Sequence, residues 1–220
     1  MIPYFVATNE RVENAAIIAN KPNNLLISYY YWKRKFLNKF INKIGYKPNI
    51  LLDSGAYSAE KKDKKLSVLN YIKYIKEHDD LINEYVSFDV IGDAELSYKF
   101  YKIMKYKNLN PIPVYHYKAN EKYLKKYIKD GNKLIALGNT VPVGNKKGVA
   151  DWINYLYKKY DVDFHLLGSS SKKIINNCPQ LRSFDSSSYL MMAINGYPKN
   201  IKTKTQRAII NMQKTIELCS

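Results

Sequence analysis

The chain of 220 residues has the length of one domain, and we expect residues 1–220 to form it. Lysine and arginine number 36 against 19 aspartate and glutamate, so the formal net charge is +17. The apolar content excludes a disordered chain, and two distant cysteines exclude a disulfide scaffold and a cysteine-rich zinc site. Because no apolar run could span a bilayer and no basic leader is visible, we expect a soluble cytoplasmic protein.

The positive charge predicts a polyanionic partner, in the first place a nucleic acid. Only four of the cations are arginines, and lysine suits attraction to phosphates better than the reading of base edges. Two alternatives stay open. Codons rich in A and T would enrich Lys, Asn, Ile and Tyr together, and an amphipathic helix around Trp32–Ile44 would suit a membrane surface.

Short apolar runs alternate with longer amphipathic segments along the chain. The runs are continuous and rich in β-branched and aromatic residues, which is typical of strands covered on both faces. The predicted strands are Ile2–Ala7, Leu25–Tyr31, Ile50–Asp53, Tyr85–Asp89, Ile112–His116, Leu134–Gly138, Phe164–Gly168 and Arg182–Asp185. The predicted helices are Trp32–Ile44, Ser67–His78, Ala94–Tyr106, Glu121–Lys129, Val149–Tyr160 and Thr203–Leu218.

Strands and helices in alternation predict a parallel sheet, either closed as a barrel or open and doubly wound. Eight candidate strands favour the barrel. An open nucleotide-binding sheet would call for a glycine-rich first turn, and neither GxGxxG nor GxxxxGK[ST] occurs. We therefore predict an α/β protein with a compact (β/α)8 TIM-type barrel.

Three of the scarce aspartates end predicted strands. Asp53, Asp89 and Asp185 each close an apolar run, and serine or glycine follows each within three residues. The carboxyl ends of barrel strands surround the catalytic mouth in enzymes of this fold, so the three carboxylates could converge on one pocket. The alternative is that each aspartate caps the helix or turn that follows it.

Glycines and histidines occupy other strand ends. Gly138, which precedes Asn139, and Gly168 could let a ligand approach the backbone, or could form ordinary tight turns. His116 and His165 could bind a phosphate, orient an aspartate, or be ordinary core residues. No HExxH or CxxC pattern occurs, and the GxSxG elbow of serine hydrolases is missing. The sequence therefore implies neither a metal nor a cofactor.

Short motifs follow one another in a set order: LDSGAYS at residues 52–58, SFD at 87–89, ALGN at 136–139, and LLG at 166–168 with SFD at 183–185. This set resembles the tRNA-guanine transglycosylase superfamily, especially its small phage-type branch that inserts 7-deazaguanines into DNA. The first motif is similar to the family's TDSGG(F/Y)Q and the last pair to its LMG…MFD. The second resembles its other aspartate motif, and ALGN matches the strand that touches the base.

The resemblance implies a role for each strand-end aspartate. Asp185 would be the nucleophile that attacks C1′ of the target nucleoside and expels guanine. Asp53 would be the general acid and base that protonates the leaving purine and deprotonates the incoming one. Asp89 would accept hydrogen bonds from the purine. Ser54 and Gly138 would donate hydrogen bonds to the base oxygen, Tyr57 would stack on the ring, and the other residues expected to bind substrate are Gly55, His116, Asn139, His165 and Gly168.

Departures from the family pattern favour its DNA-modifying branch. The tRNA enzymes carry a C-terminal zinc subdomain with three cysteines and a histidine, and the residues after Asp185 leave no room for one. Gly55-Ala56 replaces the family's Gly-Gly, Ser58 its glutamine, and Val114-Tyr115-His116 its QGG strand. The resemblance thus implies exchange of guanine in DNA for preQ0 or a related 7-deazaguanine, in the host cytoplasm if the gene belongs to a phage.

Three other functions stay open from the residues alone. The same reaction could use tRNA. A barrel N-glycosidase or other hydrolase could use Asp53 and Asp185 to release a base without exchange. A non-catalytic, basic nucleic-acid-binding protein would not need the three aspartates, and their common position at strand ends argues against it.

Overall fold

Eight parallel strands alternate with helices in the computed structural model, which describes residues 1–219. The strands are β1 (Ile2–Ala7), β2 (Asn24–Ser28), β3 (Asn49–Asp53), β4 (Glu84–Tyr85), β5 (Val114–His116), β6 (Leu134–Gly138), β7 (Asp163–Leu166) and β8 (Ser183–Ser186). The helices are α1 (Arg11–Asn20), α2 (Tyr29–Trp32), α3 (Leu37–Ile44), α4 (Ala56–Lys61), α5 (Val68–Glu77), α6 (Ala94–Tyr106), α7 (Glu121–Lys129), α8 (Lys146–Lys159), α9 (Lys172–Ile175), α10 (Ser188–Ile194) and α11 (Lys204–Cys219).

The order of the strands is that of a barrel. They follow one another as β4-β3-β2-β1-β8-β7-β6-β5, so the first and last strands are neighbours, with Tyr4 opposite Asp185. The two ends of this order meet where Val86 forms a parallel bridge with Ile112. The sheet therefore curls round on itself, and the predicted (β/α)8 TIM-type fold is confirmed.

The strand predicted for Tyr85–Asp89 is shorter in the structure: β4 ends at Tyr85, a single bridge follows at Val86, and the prediction is wrong for Phe88 and Asp89. Across the closure, Ile112 N donates to the Tyr85 carbonyl at 2.9 Å and Ser87 N donates to the Ile112 carbonyl at 2.7 Å. The chain then leaves the ladder, because the Phe88 N–H turns to the sulfur of Met104 at 3.2 Å instead of a neighbouring strand. Asp89 consequently lies in a loop above the strand end.

A second difference from the prediction lies at residues 29–44. The strand predicted to reach Tyr31 ends at Ser28, and two short helices replace the single helix predicted over Trp32–Ile44. Trp32 is fully buried and its Nε1 donates to the carbonyl of Ala7 at 2.7 Å, which fixes α2 across the end of β1. This tertiary contact overrides the strand preference of the three consecutive tyrosines.

The apolar face of that segment points into the protein. Trp32 and Phe40 are both buried, and their rings meet edge to face with centroids 5.0 Å apart. The apolar face that could have suited a membrane surface thus packs against the protein core. Among residues 1–219, no helix combines the length and the apolar character that a bilayer crossing requires.

The barrel interior begins with an apolar layer. Its buried members come from neighbouring strands and are Tyr4, Leu26, Leu51, Val86, Val114 and Ala136. Side chains alternate along a strand, so the residue two positions after each of these also points inward wherever the strand continues, nearer its carboxyl end. That upper layer carries the polar residues of the candidate site.

Candidate active site

A cavity of about 370 Å³ opens above the apolar layer, at the carboxyl ends of the strands. Alternation brings polar residues into it: Ser28 lies two positions after Leu26, and Asp53 two positions after Leu51. The cavity is lined by Val6, Thr8, Leu26, Ser28, Tyr31, Asp53, Ala56, Tyr57, Ser58, Asp89, Ile91, His116, Gly138, Asn139, Val141, Pro142, Leu167, Gly168, Asp185 and Ser187. All three aspartates that the sequence predicted at strand ends therefore face one space.

Asp53 has the properties of a proton-transfer group. Its Oδ2 accepts a hydrogen bond from the Gly55 N–H at 2.9 Å. Burial raises the pKa of Asp53 to about 7, the negative charges of Asp89 and Asp185 add to the increase, and the Gly55 N–H opposes it. Near neutral pH the carboxyl is therefore present in both protonated and ionised forms. A group that both donates and accepts a proton during a reaction needs both forms to be accessible.

Asp185 is buried and held through one of its two oxygens. Oδ1 accepts from the Gly168 N–H at 2.9 Å and pairs with His165 Nε2 at 3.2 Å. His165 Nδ1 lies 2.8 Å from the Ser183 hydroxyl, which can donate to it while Nε2–H donates to Asp185. Among residues 1–219, no donor is bonded to Oδ2 of Asp185. This second oxygen is therefore available to a reacting atom in the cavity.

Asp89 is fixed by a partner on each oxygen. Ser54 Oγ donates to Oδ1 at 2.6 Å, and His116 Nε2 lies 3.0 Å from Oδ2. An ionised carboxylate has about four acceptor positions, so two remain for a ligand. Asp89 is thus an oriented acceptor rather than a mobile base.

Gly138 makes room for a side chain of the protein itself. It pairs with His116 across β5 and β6, and an added Cβ would lie 2.6 Å from Cδ2 of the imidazole. From the sequence, this glycine was expected either to let a ligand approach the backbone or to form a tight turn. The structure shows that it first of all accommodates the histidine, although both residues also line the cavity.

The capping alternative for the aspartates does not hold at Asp89 or Asp185. The side chain that caps α6 is Asp93, and α10 begins after Ser187 without a side-chain cap. Asp53 does bond to the turn that follows it, through the Gly55 N–H, while also lining the cavity. One of the three thus has a local structural bond in addition to its place in the site.

The structure brings most predicted site residues together in the cavity wall. Three of them lie behind it: Ser54 supports Asp89, Gly55 forms the turn after Asp53, and His165 supports Asp185. These three do not face the cavity as substrate-binding residues would. The predicted residues that do line it are Asp53, Tyr57, Asp89, His116, Gly138, Asn139, Gly168 and Asp185.

Several polar lining residues escaped sequence reasoning. Thr8, Ser28, Tyr31 and Ser187 line the cavity, and no motif marks them. Ser28 is 6% exposed, and its Oγ has no hydrogen-bond partner of normal geometry among residues 1–219, although the hydroxyl helps to lower the pKa of neighbouring Asp53. Counting two positions on from buried strand residues would have found Ser28.

The side chains described for residues 1–219 form no group of three or more His, Cys, Asp or Glu suited to a metal ion. The two cysteines are free, and Cys178 is buried away from the cavity. Three carboxyl groups and the imidazole of His116 line the cavity, and His165 lies behind Asp185.

No protein-family model matches the chain, and no curated protein matches it in sequence. A protein of Aquifex aeolicus VF5, known from a structural study, is 10% identical with a TM-score of 0.56, over 95% of this chain and 90% of that one. The carboxyl transferase domain of Rhizobium etli pyruvate carboxylase, solved with pyruvate, is 11% identical with a TM-score of 0.59, over 96% of this chain and 47% of that one. At such identities, the likeness establishes the TIM-barrel fold.

Proposed function

We propose that this protein is a base-exchange enzyme that replaces guanine in DNA by preQ0 or a related 7-deazaguanine. The observation that carries the proposal is a pair of unlike carboxyl groups in one cavity. Asp53 has a pKa raised to about 7, whereas Asp185 is held through one oxygen and has the other free. Two carboxyl groups with divided roles are typical of substitution at an anomeric carbon.

In the first step, Oδ2 of Asp185 forms a bond to C1′ of the target nucleotide. The bond between C1′ and the base breaks, its electron pair leaves with the purine, and protonated Asp53 supplies the proton that the purine takes up. The products are free guanine, ionised Asp53 and an ester between Asp185 and the sugar. The bond to Gly168 N–H keeps Oδ1 in place while Oδ2 reacts.

In the second step, the incoming 7-deazaguanine gives its proton to Asp53 and attacks C1′ through the nitrogen so freed. The ester bond breaks and its electrons return to Asp185 as a carboxylate. Two displacements retain the configuration at C1′. Asp53 returns to its protonated form, so the cycle needs no other proton donor.

Asp89 is suited to bind the base in both steps. Its orientation is set by Ser54 and His116, and its free acceptor positions match the N1–H and exocyclic amine on one edge of guanine. A 7-deazaguanine presents the same edge, which explains how one site could accept the leaving and the incoming base. Tyr57 in the cavity wall offers a ring face for stacking.

The test is incubation of the purified protein with preQ0 and, separately, single-stranded DNA, duplex DNA and tRNA, followed by mass spectrometry of the digested nucleosides. We expect a 7-deazaguanine nucleoside in DNA and release of an equal amount of guanine. Asp185→Ala should abolish both. Asp93→Asn is the matched control, because it also removes one carboxylate but lies at the start of α6, where asparagine serves equally well as a cap.

The alternatives give different products in the same assay. Incorporation into tRNA alone would support base exchange as the reaction but would show that the substrate is tRNA and not DNA. Guanine release without incorporation would show an N-glycosidase. Binding of nucleic acid with neither release nor incorporation would contradict an enzymatic role.

A further inference from the structure

One side of the cavity mouth is built from α2 and α4, the short helices that follow β2 and β3. Tyr31 and Tyr57 line the cavity from this side, and Tyr31 remains 36% exposed. Lys62 Nζ lies 5.5 Å from the ring centres of both Tyr30 and Tyr31, and Lys61 Nζ lies 4.6 Å from that of Tyr57. We call these five residues the tyrosine–lysine rim.

A glycine holds the two halves of this rim together. Gly55 has φ +80°, and an added Cβ would lie 2.5 Å from Cβ and 2.8 Å from N of Tyr30. Any larger residue would push α4 away from α2 as well as strain the backbone. Because the same glycine donates to Asp53, the position of the rim is tied directly to the position of the acid in the cavity.

The rim lies in an excess of unpaired positive charge. Within residues 30–34 and 56–65, which carry the rim, the exposed cations are Lys33, Arg34, Lys61, Lys62, Lys64 and Lys65, against two acids, Glu60 and Asp63. None of these cations forms an ion pair with another of the described residues. Charges left free in this way are available to a polyanion.

Ring faces beside free lysines match the chemistry of an unpaired nucleic-acid strand. Phosphates pair with the ammonium groups, and bases stack on aromatic rings without strong sequence preference. A duplex cannot stack in this way, because the faces of its bases are covered by neighbouring bases. A base that enters the cavity must in any case leave its stack. We propose that the tyrosine–lysine rim binds an unpaired stretch of DNA beside the target nucleotide, with Tyr31 stacking on the adjacent base and Lys61 and Lys62 contacting phosphates. The inference rests on the proposed function in taking DNA as the polymer.

The experiment measures binding of a labelled single-stranded oligonucleotide by fluorescence anisotropy at several salt concentrations, with no 7-deazaguanine present. The same sequence is also tested as duplex DNA and as RNA. We expect single-stranded DNA to bind best, Tyr31→Leu to raise its Kd about tenfold, and Lys61→Gln with Lys62→Gln to raise Kd and lower the salt slope by about 1.4. Thermal unfolding confirms that each variant is folded.

The matched control is Lys21→Gln with Lys133→Gln. Both lysines are exposed and precede β2 and β6, so they lie at the opposite end of the barrel from the rim. Replacing them changes the net charge by the same amount as replacing Lys61 and Lys62. Equal Kd values for the two double variants, tighter binding of duplex, or tighter binding of RNA would each overturn the inference. This binding assay does not depend on catalysis. If the rim binds DNA as expected but the protein exchanges no base, the proposed function is refuted and the inference stands. Base exchange with unaffected rim variants would refute the inference alone.

Discussion

His165 and Asp185 form a buried pair in which Nε2 of the imidazole lies 3.2 Å from Oδ1 of the carboxylate. The other ring nitrogen contacts Ser183, so the histidine is fixed at both ends. In the proposed reaction it touches neither the sugar nor the base. It is a positioning residue, which keeps the free oxygen of Asp185 aimed at C1′.

Replacing His165 by alanine should therefore lower kcat by about 10- to 100-fold, as expected for loss of a hydrogen bond to a charged group. KM for DNA should stay nearly constant, because the substrate-binding surface is unchanged. His165→Gln restores an N–H donor and should recover part of the rate. Steady-state kinetics separate the two parameters, and equal loss in the alanine and glutamine variants would argue for a purely structural role.

Release of guanine in a single turnover should slow as pH rises through about 7. The pKa of Asp53 is raised to about 7, and only its protonated form supplies the proton for the departing base. Rapid-quench measurement of free guanine between pH 5.5 and 8.5 tests this expectation. A rate independent of pH over that range would remove Asp53 from the role of acid.

The same raised pKa makes a prediction about stability. The folded protein holds the Asp53 proton more tightly than the unfolded chain, so this residue's contribution to stability falls as pH rises from about 4 to about 7. Asp53→Asn removes the ionisation, and the variant should lose less stability than the wild type by about 2–4 kcal/mol over that interval. Urea unfolding at several pH values gives the comparison. Parallel curves for the two proteins would contradict it.

Gly138→Ala should damage the base-binding side of the site. The new Cβ would push the His116 imidazole away, break its bond to Asp89 and cost about 1–3 kcal/mol of stability. We expect a higher KM for the incoming base. Gly144→Ala is the control, because a Cβ there meets nothing within 4 Å. In a His116→Ala background, Gly138→Ala should cost less, since the contact at 2.6 Å is gone and only the tight contact with Val114 Cγ1 at 3.1 Å remains.

Glu13 is a buried carboxyl on α1 that holds the loop after β1 in place. It accepts hydrogen bonds from the backbone N–H and hydroxyl of Thr8 and from the N–H of Asn9, and Thr8 lines the cavity. Glu13→Ala leaves these donors unpaired and should lower the free energy of unfolding by about 2–3 kcal/mol. Exposed Glu10→Ala should change it by less than about 0.5 kcal/mol. Chemical denaturation measures both.

The fold was largely predictable because continuous apolar runs separated by amphipathic helices leave few arrangements for a chain of this length. Helix α6 begins and ends where the sequence predicted, since an aspartate cap precedes a regular apolar stripe. Helix α1 had no such signal: its side-chain contact to the loop before it comes from Glu13, an acid that composition would place at the surface. These bonds are local, since they reach only four and five residues back to Asn9 and Thr8, but they depend on the burial of an acid, which the sequence did not mark.

The candidate site was partly predictable for a geometrical reason. Residues that end parallel strands meet at one edge, so Asp53 and Asp185 could be expected in one cavity. Which residues face the cavity depends on alternation, and alternation requires a known inward position, such as Leu26 for Ser28. His165 points inward but lies one layer too deep to reach the cavity. Depth along a strand is not marked in a sequence.

The Val86–Ile112 bridge has a further consequence for motion. Seven of the eight strand contacts are ladders of two or more paired residues, whereas this seam is a single bridge, so local opening should start there. Above the bridge, Val114 N donates to Ser87 Oγ at 3.2 Å, and the bond between His116 and Asp89 joins the two sides at the cavity itself. A base that binds Asp89 would thus contact a residue whose hydrogen bond helps to close the barrel. Amide hydrogens along the seam should exchange with solvent early in the free protein and more slowly once a base is bound.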